Sequence, residues 1–140
     1  MQKHKLAPLE WTDALSVGVP EIDRQHKELI RRVNAFICAV IEGQGKDKLG
    51  NLLSFMGNYA ETHFKEEEKW MSKYNYPGYV EHLAKHMEFL DVFKKLKAEV
   101  ARDGATVSVV ATVQRYLCDW LVFHVSRVDR EMGSYLKTKM

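Results

Sequence analysis

The sequence has no long apolar run, little proline and little cysteine. Its 140 residues include 3 Pro and 2 Cys. No segment reaches the roughly 18 apolar residues that a membrane-spanning helix needs, and the N-terminus lacks the apolar stretch of a signal peptide. These absences predict a cytoplasmic protein that does not contact a membrane. Cys38 and Cys118 lie far apart without a C-x-x-C pair, which favours small core residues over a disulfide or a metal site.

An excess of charge of one sign is also missing. The 21 Lys and Arg residues nearly balance the 19 Asp and Glu residues, and the formal net charge is +2. Basic residues are scattered among acidic ones along the chain, which is typical of solvated helix faces, whereas nucleic-acid binders carry a basic stripe. The charge pattern therefore predicts no nucleic-acid partner, and it points to no particular protein partner.

What the chain does contain is four long segments of helical periodicity. Apolar residues recur at helical spacing over about 21–42, 47–74, 79–102 and from 106 to about 137, with glycine or proline between the segments. Such segments, joined by short loops, predict an all-α protein: an antiparallel up-down-up-down four-helix bundle. We expect a single domain over residues 1–140. The bundle covers about 20–137, and an N-terminal arm of about 1–19 packs Trp11 onto it.

Each apolar stripe is interrupted by side chains that are costly to bury. Burying such groups without partners costs several kcal/mol each. Five histidines and a carboxylate occupy stripe positions, a second carboxylate adjoins them, and only His4 of the six histidines lies elsewhere. A metal centre satisfies the whole set at once, so we predict one in the core. The set comprises His26, His63, Glu67, His82, His86, His124 and Asp129.

Spacing within the second and third segments supports shared metal ligation. His63 and Glu67 are four residues apart, as are His82 and His86, so each pair projects from one helix face. Continuing the helical spacing from Glu67 reaches apolar positions, which favours Glu67 over its neighbours. We therefore expect Glu66 and Glu68 to face solvent, although spacing alone leaves Glu66 open as a ligand.

The last pair has a different spacing. His124 and Asp129 are five residues apart, which places them about 140° apart on an ideal helix. Both can face one metal centre only if the helix is widened or interrupted. We predict a π-type widening, or a break, between them.

The donor set indicates which metals fit. Five imidazoles and two carboxylates are too many for a structural zinc site and too poor in oxygen for calcium or magnesium. Two octahedral ions that share both carboxylates and one solvent-derived oxygen retain a single open position, at the metal with fewer histidines. Such donors suit iron, with manganese, cobalt or zinc as alternative occupants. A set richer in imidazole than in glutamate favours reversible dioxygen binding over substrate oxidation.

The motifs themselves resemble the signature of the hemerythrin family, and in particular its single-domain bacterial members. The matching elements are His26, His63-x-x-x-Glu67, His82-x-x-x-His86 and His124-x-x-x-x-Asp129, with flanking Ile22-Asp23-Arg24-Gln25 and Trp120-Leu121-Val122-Phe123. The likeness extends from about Trp11 to Leu136. It implies two iron ions joined by an oxo or hydroxo bridge. One iron takes His82, His86 and His124, the other takes His26 and His63, and Glu67 and Asp129 bridge.

The resemblance also implies a function. It predicts reversible dioxygen binding, without catalysis, for oxygen storage or delivery to oxygen-requiring enzymes. Leu121 precedes His124 by one turn and is expected to line the dioxygen pocket, where azide or nitric oxide are further candidate ligands. Two alternatives use the same centre: an oxygen or redox sensor acting through a separate partner, and a di-iron oxidase, peroxidase or nitric-oxide-handling enzyme.

Overall fold

Helix boundaries fall where the sequence places its proline and glycine residues. The computed structural model describes residues 10–140, in which helix α1 spans Pro20–Ile41, α2 spans Gly45–Lys73, α3 spans Tyr79–Asp103 and α4 runs over 107–139. Proline in the first turn of α1 costs no hydrogen bond, since that N–H has no helical partner. Gly104 ends α3 with a φ of 80°, a backbone conformation that glycine adopts readily. The predicted four-helix bundle is confirmed, and each boundary lies within two residues of the predicted one.

The described part of the arm packs against the bundle. A short 3-10 turn covers Asp13–Leu15, and Trp11 packs against Leu15, Ile30 and Val125, as predicted. Residues 1–9, which include His4 and the first half of the predicted arm, lie outside the described residues. Within residues 10–140 no helix is both long and apolar enough to cross a membrane, and none of these residues belongs to a strand.

Close contact between the arm and α4 depends on one glycine. A Cβ atom added at Gly133 would lie 2.5 Å from the Cα atom of Val17, which is closer than carbon atoms can approach. On the other side, the Asp23 carboxylate of α1 accepts hydrogen bonds from the Ser16 hydroxyl and the Val17 N–H. The arm is thereby held against both α1 and α4.

Two apolar clusters of the core lie on either side of a polar layer, and a third, small cluster packs against Trp11. The larger cluster includes Val33, Leu53, Phe64, Phe89 and Leu121. The smaller one, at the other end of the bundle, consists of Val17, Val19, Ile22, Met71, Met132 and Leu136. Along the helices the predicted metal-binding residues lie where the contributions to one cluster give way to those to the other, with His63 next to Phe64 at the edge of the larger cluster. The polar layer therefore has apolar side chains above and below it.

Helix α4 is widened twice. Its α-helical turns are interrupted by π-helical turns at Val113–Cys118 and His124–Asp129. The second interruption confirms the prediction made from the five-residue spacing of His124 and Asp129. The first was not predicted, although Gln114 and Asp119 are also five residues apart and their side chains form a hydrogen bond of 3.5 Å across this turn.

The two cysteines differ in their surroundings, and neither forms a disulfide. Cys118 is buried in the larger cluster, as expected. The expectation that Cys38 is a core residue is wrong, since it is exposed on α1 between the buried Ile37 and Ala39.

Candidate metal centre

All seven predicted side chains meet in the polar layer. Each of the four helices contributes to it, and the exposed fraction of every one of the seven residues is 2 % or less. They are His26 from α1, His63 and Glu67 from α2, His82 and His86 from α3, and His124 and Asp129 from α4.

These residues form two groups that share both carboxylates. The three-histidine group contains His82, His86 and His124 with Glu67 and Asp129. The two-histidine group contains His26 and His63 with the same two carboxylates. Within each group, one nitrogen or oxygen atom from every residue lies within 4.8 Å of the others. The structure thus divides five histidines unequally around two shared acids.

Glu67 directs one oxygen to each group. Its Oε2 lies 2.8 Å from His26 Nε2 and 3.0 Å from His63 Nε2. Its Oε1 lies 3.3 Å from His82 Nε2 and 3.1 Å from His86 Nε2. This arrangement suits a carboxylate that bridges two cations.

Asp129 divides its oxygens in the same way. Oδ2 lies 3.0 Å from His26 Nε2, whereas Oδ1 lies 3.0 Å from His82 Nε2 and 3.1 Å from His124 Nε2. The π-helical turn makes this possible, because in a π-helix residues five apart replace residues four apart as near neighbours. In a regular α-helix the carboxylate would point away from His124.

Several polar atoms of the layer lack hydrogen-bond partners and are placed so that a bound cation could contact them. Both oxygens of Asp129 and the Nε2 atom of His63 are buried without a hydrogen-bond partner, although ring nitrogens or carboxylate oxygens lie about 3 Å away. The Nε2 atoms of His86 and His124 lie 3.1 Å apart. Buried polar atoms without a hydrogen-bond partner are costly, because their desolvation is not compensated. A cation in each group supplies the missing partner, so the residues fit the metal centre expected from the sequence.

Charge in the layer is also perturbed. Burial opposes protonation of His26, but Asp129 and Glu67 outweigh burial and raise the pKa of His26 to about 10. Burial likewise opposes protonation of His82, but the nearby carboxylates of Asp129 and Glu67 outweigh burial and raise the pKa of His82 to about 9. Burial lowers the pKa of His63, which stays neutral. Protonation of His26 and His82 would compete with a metal for their ring nitrogens, because a metal-binding imidazole is neutral.

The two carboxylates remain ionised. Burial and the neighbouring Glu67 raise the pKa of Asp129, but His124 and His26 outweigh them, and the net pKa lies below its ordinary value. Burial also raises the pKa of Glu67, and His63 and His26 reverse that effect. Two anions in the core are therefore available at neutral pH to bind cations.

Two further residues contact the histidines from outside the layer, and neither was predicted. His86 Nδ1 donates to Glu68 Oε2 at 2.9 Å, and His63 Nδ1 donates to Gln25 Oε1 at 2.7 Å. The expectation that Glu68 faces solvent is wrong, because its side chain is only 22 % exposed and bonds to His86. Partners of this kind fix the tautomer and the orientation of a metal-binding imidazole.

The structure does not place Glu66, the carboxylate that spacing left open as a ligand, among the converging side chains. Glu66 Oε2 accepts a hydrogen bond from Trp70 Nε1 at 3.1 Å and lies 3.6 Å from Lys69 Nζ. Glu66 belongs to neither of the two groups. The choice of Glu67, made from helical spacing, is the one that the geometry supports.

Aromatic rings restrict the histidines of the three-histidine group. The rings of His86 and Phe64 stack with centroids 3.9 Å apart, and those of His124 and Trp120 stack at 4.4 Å. Since Phe64 is buried and Trp120 packs against the larger cluster, this side of the layer is apolar. Such surroundings exclude water from a metal centre.

Comparison with known proteins agrees with this geometry. The family model described as the hemerythrin HHE cation binding domain matches residues 17–136. A bacteriohemerythrin from Methylococcus capsulatus is 31% identical over 132 residues, which cover 94% of this chain and 98% of that protein. A bacteriohemerythrin from Stenotrophomonas maltophilia is 28% identical over 96% of this chain and 86% of its own length. A myohemerythrin from Sipunculus nudus is 30% identical over 87% of this chain and 88% of its own length.

Proposed function

The chain belongs to the hemerythrin family, and we propose that it binds dioxygen reversibly at a di-iron centre, for oxygen storage or delivery to oxygen-requiring enzymes. The observation that carries this proposal is the unequal division of five histidines between two groups that share Glu67 and Asp129. If the two groups had equal numbers of histidines, the two metals would have equal numbers of open coordination positions. Because the groups are unequal, the metal with two histidines has one more open position, where an external ligand can bind.

The proposed ligands follow the two groups. His82, His86 and His124 hold one iron, His26 and His63 hold the other, and Glu67 and Asp129 bridge them. The oxygen atoms of each acid already face opposite groups. When bound, the two ferrous ions supply the two electrons that dioxygen takes up reversibly. The protein holds the histidines in place and keeps water out.

Burial of the centre favours binding of small molecules over catalysis on larger ones. None of the seven residues is more than 2 % exposed, so an organic substrate cannot reach the proposed irons without opening the bundle. Dioxygen is small enough to enter, as are azide and nitric oxide. Neutral imidazoles also outnumber carboxylates, which disfavours the high iron oxidation states that oxidation of a substrate needs.

The proposed function is tested by cycling the iron-loaded protein between air and vacuum. Absorption spectra of the reduced protein are recorded before air, after air and after evacuation. A reversible binder returns to its reduced spectrum, because dioxygen leaves with the electrons restored to iron. An oxidase is left diferric after evacuation, and that result contradicts the proposal.

We propose in addition that Leu121 lines the path to the open position. Leu121 is buried and borders a cavity of about 10 Å³ between α1 and α4, together with Leu29 and Val125. Leu29 follows His26, and Leu121 precedes His124, by three residues. The cavity is therefore lined by side chains one helical turn from histidines of both groups. Its lining is almost wholly apolar.

Truncation of Leu121 to alanine is expected to speed oxidation of the reduced, dioxygen-exposed protein without loss of iron. The substitution enlarges the cavity, costs about 2–5 kcal/mol of stability, and admits water or azide. Oxidation is followed by absorbance, and iron is measured in the same samples. Val113→Ala, a truncation elsewhere in the buried core of α4, is the control. If the oxidation rate and azide binding of Leu121→Ala both match the parent protein, Leu121 contributes packing alone.

A further inference from the structure

A chain of hydrogen bonds connects the surface of α1 to the two-histidine group. Arg24 donates two hydrogen bonds of 2.6 Å to the carboxylate of Glu21. Glu21 Oε2 accepts a hydrogen bond of 3.2 Å from Gln25 Nε2. Gln25 Oε1 in turn accepts a hydrogen bond of 2.7 Å from His63 Nδ1. Glu21 is 45 % exposed at its side chain, whereas Gln25 is buried and His63 is almost wholly so.

His63 needs this chain because its own surroundings allow two tautomers. A metal-binding imidazole is neutral, so one ring nitrogen carries the proton and the other offers the lone pair. With the proton on Nδ1, the lone pair of Nε2 is directed into the group. With the proton on Nε2, that nitrogen donates to Glu67 Oε2, only 3.0 Å away, and can bind no metal. Glu67 by itself does not favour the first form.

Gln25 alone cannot choose between the two tautomers. Its amide has a donor end and an acceptor end, and rotation by half a turn exchanges them. With the oxygen towards His63, the amide selects the proton on Nδ1. With the NH₂ group towards His63, it selects the proton on Nε2. The orientation of the amide therefore determines which nitrogen of His63 is free.

Glu21 determines that orientation. A carboxylate accepts hydrogen bonds and donates none, so only the NH₂ end of Gln25 can face it. The hydrogen bonds from Arg24 lower the pKa of Glu21 and keep it ionised. The reversed amide would set its oxygen against an anion.

We propose that Glu21, acting through Gln25, is a positioning residue that makes His63 a ligand through Nε2. This inference rests on the proposed ligand set. His86, in the three-histidine group, needs no such intermediate, because Glu68 accepts directly from its Nδ1 atom. A carboxylate in direct contact fixes the tautomer unaided. Near His63, a neutral amide occupies the corresponding place, and the carboxylate lies one residue further out. A partly exposed acid thereby controls a buried nitrogen.

The test uses the zinc-loaded protein, because zinc is diamagnetic and its retention can be measured without dioxygen. In the Glu21→Ala variant we expect one zinc equivalent to pass to a chelator about 10–100 times faster than in the parent, which is the usual effect of losing such a partner. The second equivalent should leave at the parent rate. Nitrogen NMR of labelled histidine should show the Nδ1 proton of His63 in the parent, and its faster exchange with solvent in the variant.

Matched variants separate positioning from simple loss of an ion pair. Glu28→Ala removes a similar acid on α1, paired with Arg31 and Arg32, and is expected to behave as the parent. Glu21→Gln retains an oxygen that accepts from Gln25, so slow zinc loss should return. Gln25→Leu should release one zinc quickly, whereas Gln25→Glu, which still accepts from Nδ1, should release it more slowly than Gln25→Leu.

Two results overturn the inference. In one, Glu21→Ala matches Glu28→Ala in both zinc release and the exchange of the His63 proton. In the other, Gln25→Leu retains both zinc ions as the parent does. Failure of the proposed function looks different. A parent that retains two zinc ions, yet does not release dioxygen after iron loading, contradicts dioxygen binding and leaves the role of Glu21 intact.

Discussion

The Glu67→Ala variant is expected to retain less than about 0.2 iron per chain after iron loading and desalting, against two in the parent. Both groups lose a ligand at once, because Glu67 places its two oxygens within 3.3 Å of four histidine nitrogens from opposite groups. Loss of a shared ligand therefore weakens both proposed iron sites and not one alone. Iron is measured by elemental analysis, and helix content is checked by circular dichroism.

The neighbouring acid provides the control. Glu66→Ala removes a carboxylate one residue away, which bonds to Trp70 and belongs to neither group. This variant should retain both irons. Full iron content in Glu67→Ala, or equal losses in the two variants, would show that Glu67 is not the shared ligand.

Removal of the metals is expected to lower the melting temperature by at least about 15 °C, which is the effect of losing one of the two. A metal present at about 1,000 times its dissociation constant stabilises a protein by about 4 kcal/mol. Each kcal/mol changes the melting temperature of a domain of this size by about 4 °C. Without cations, both oxygens of Asp129 and the Nε2 atom of His63 stay buried without partners. The metal-free protein should keep much of its helix, since the apolar clusters at both ends of the bundle are unchanged.

Thermal unfolding followed by circular dichroism measures this difference on iron-loaded and chelator-treated samples. Adding iron back should restore the higher melting temperature of the parent. It should have little effect on Glu67→Ala, which serves as the control for non-specific binding. Equal melting temperatures with and without metal would contradict a centre that lies in the core.

Much of the fold was accessible from the sequence, for a physical reason. Helical periodicity reports burial directly, because one face of each helix meets the core. The same periodicity identified His26, His63, His82, His86 and His124, since each replaces an apolar residue in a stripe. The π-helical turn at His124–Asp129 was predictable because two buried polar residues with that spacing cannot share one side of a regular helix. In these cases the prediction depends only on the spacing of residues within one helix.

Other features depend on neighbouring helices and leave no periodic signal. Glu68 lies one position beyond Glu67, and it meets His86 only because α3 packs beside α2 at that point. The role of Gln25 could not be predicted from α1 alone, because it depends on the contact with His63 of α2. The exposure of Cys38 depends on how far the neighbouring helices cover α1. The π-helical turn at Val113–Cys118 coincides with a partly buried hydrogen bond between the side chains of Gln114 and Asp119, a pair that does not interrupt the apolar stripe and so gave no signal in the sequence.

Anomalous diffraction at the iron edge from crystals of the iron-loaded protein tests the central claim most directly. We expect two peaks per chain in the polar layer, one against His82, His86 and His124 and the other against His26 and His63, with Glu67 and Asp129 between them. A single peak, or iron bound only at exposed side chains, would contradict the di-iron centre.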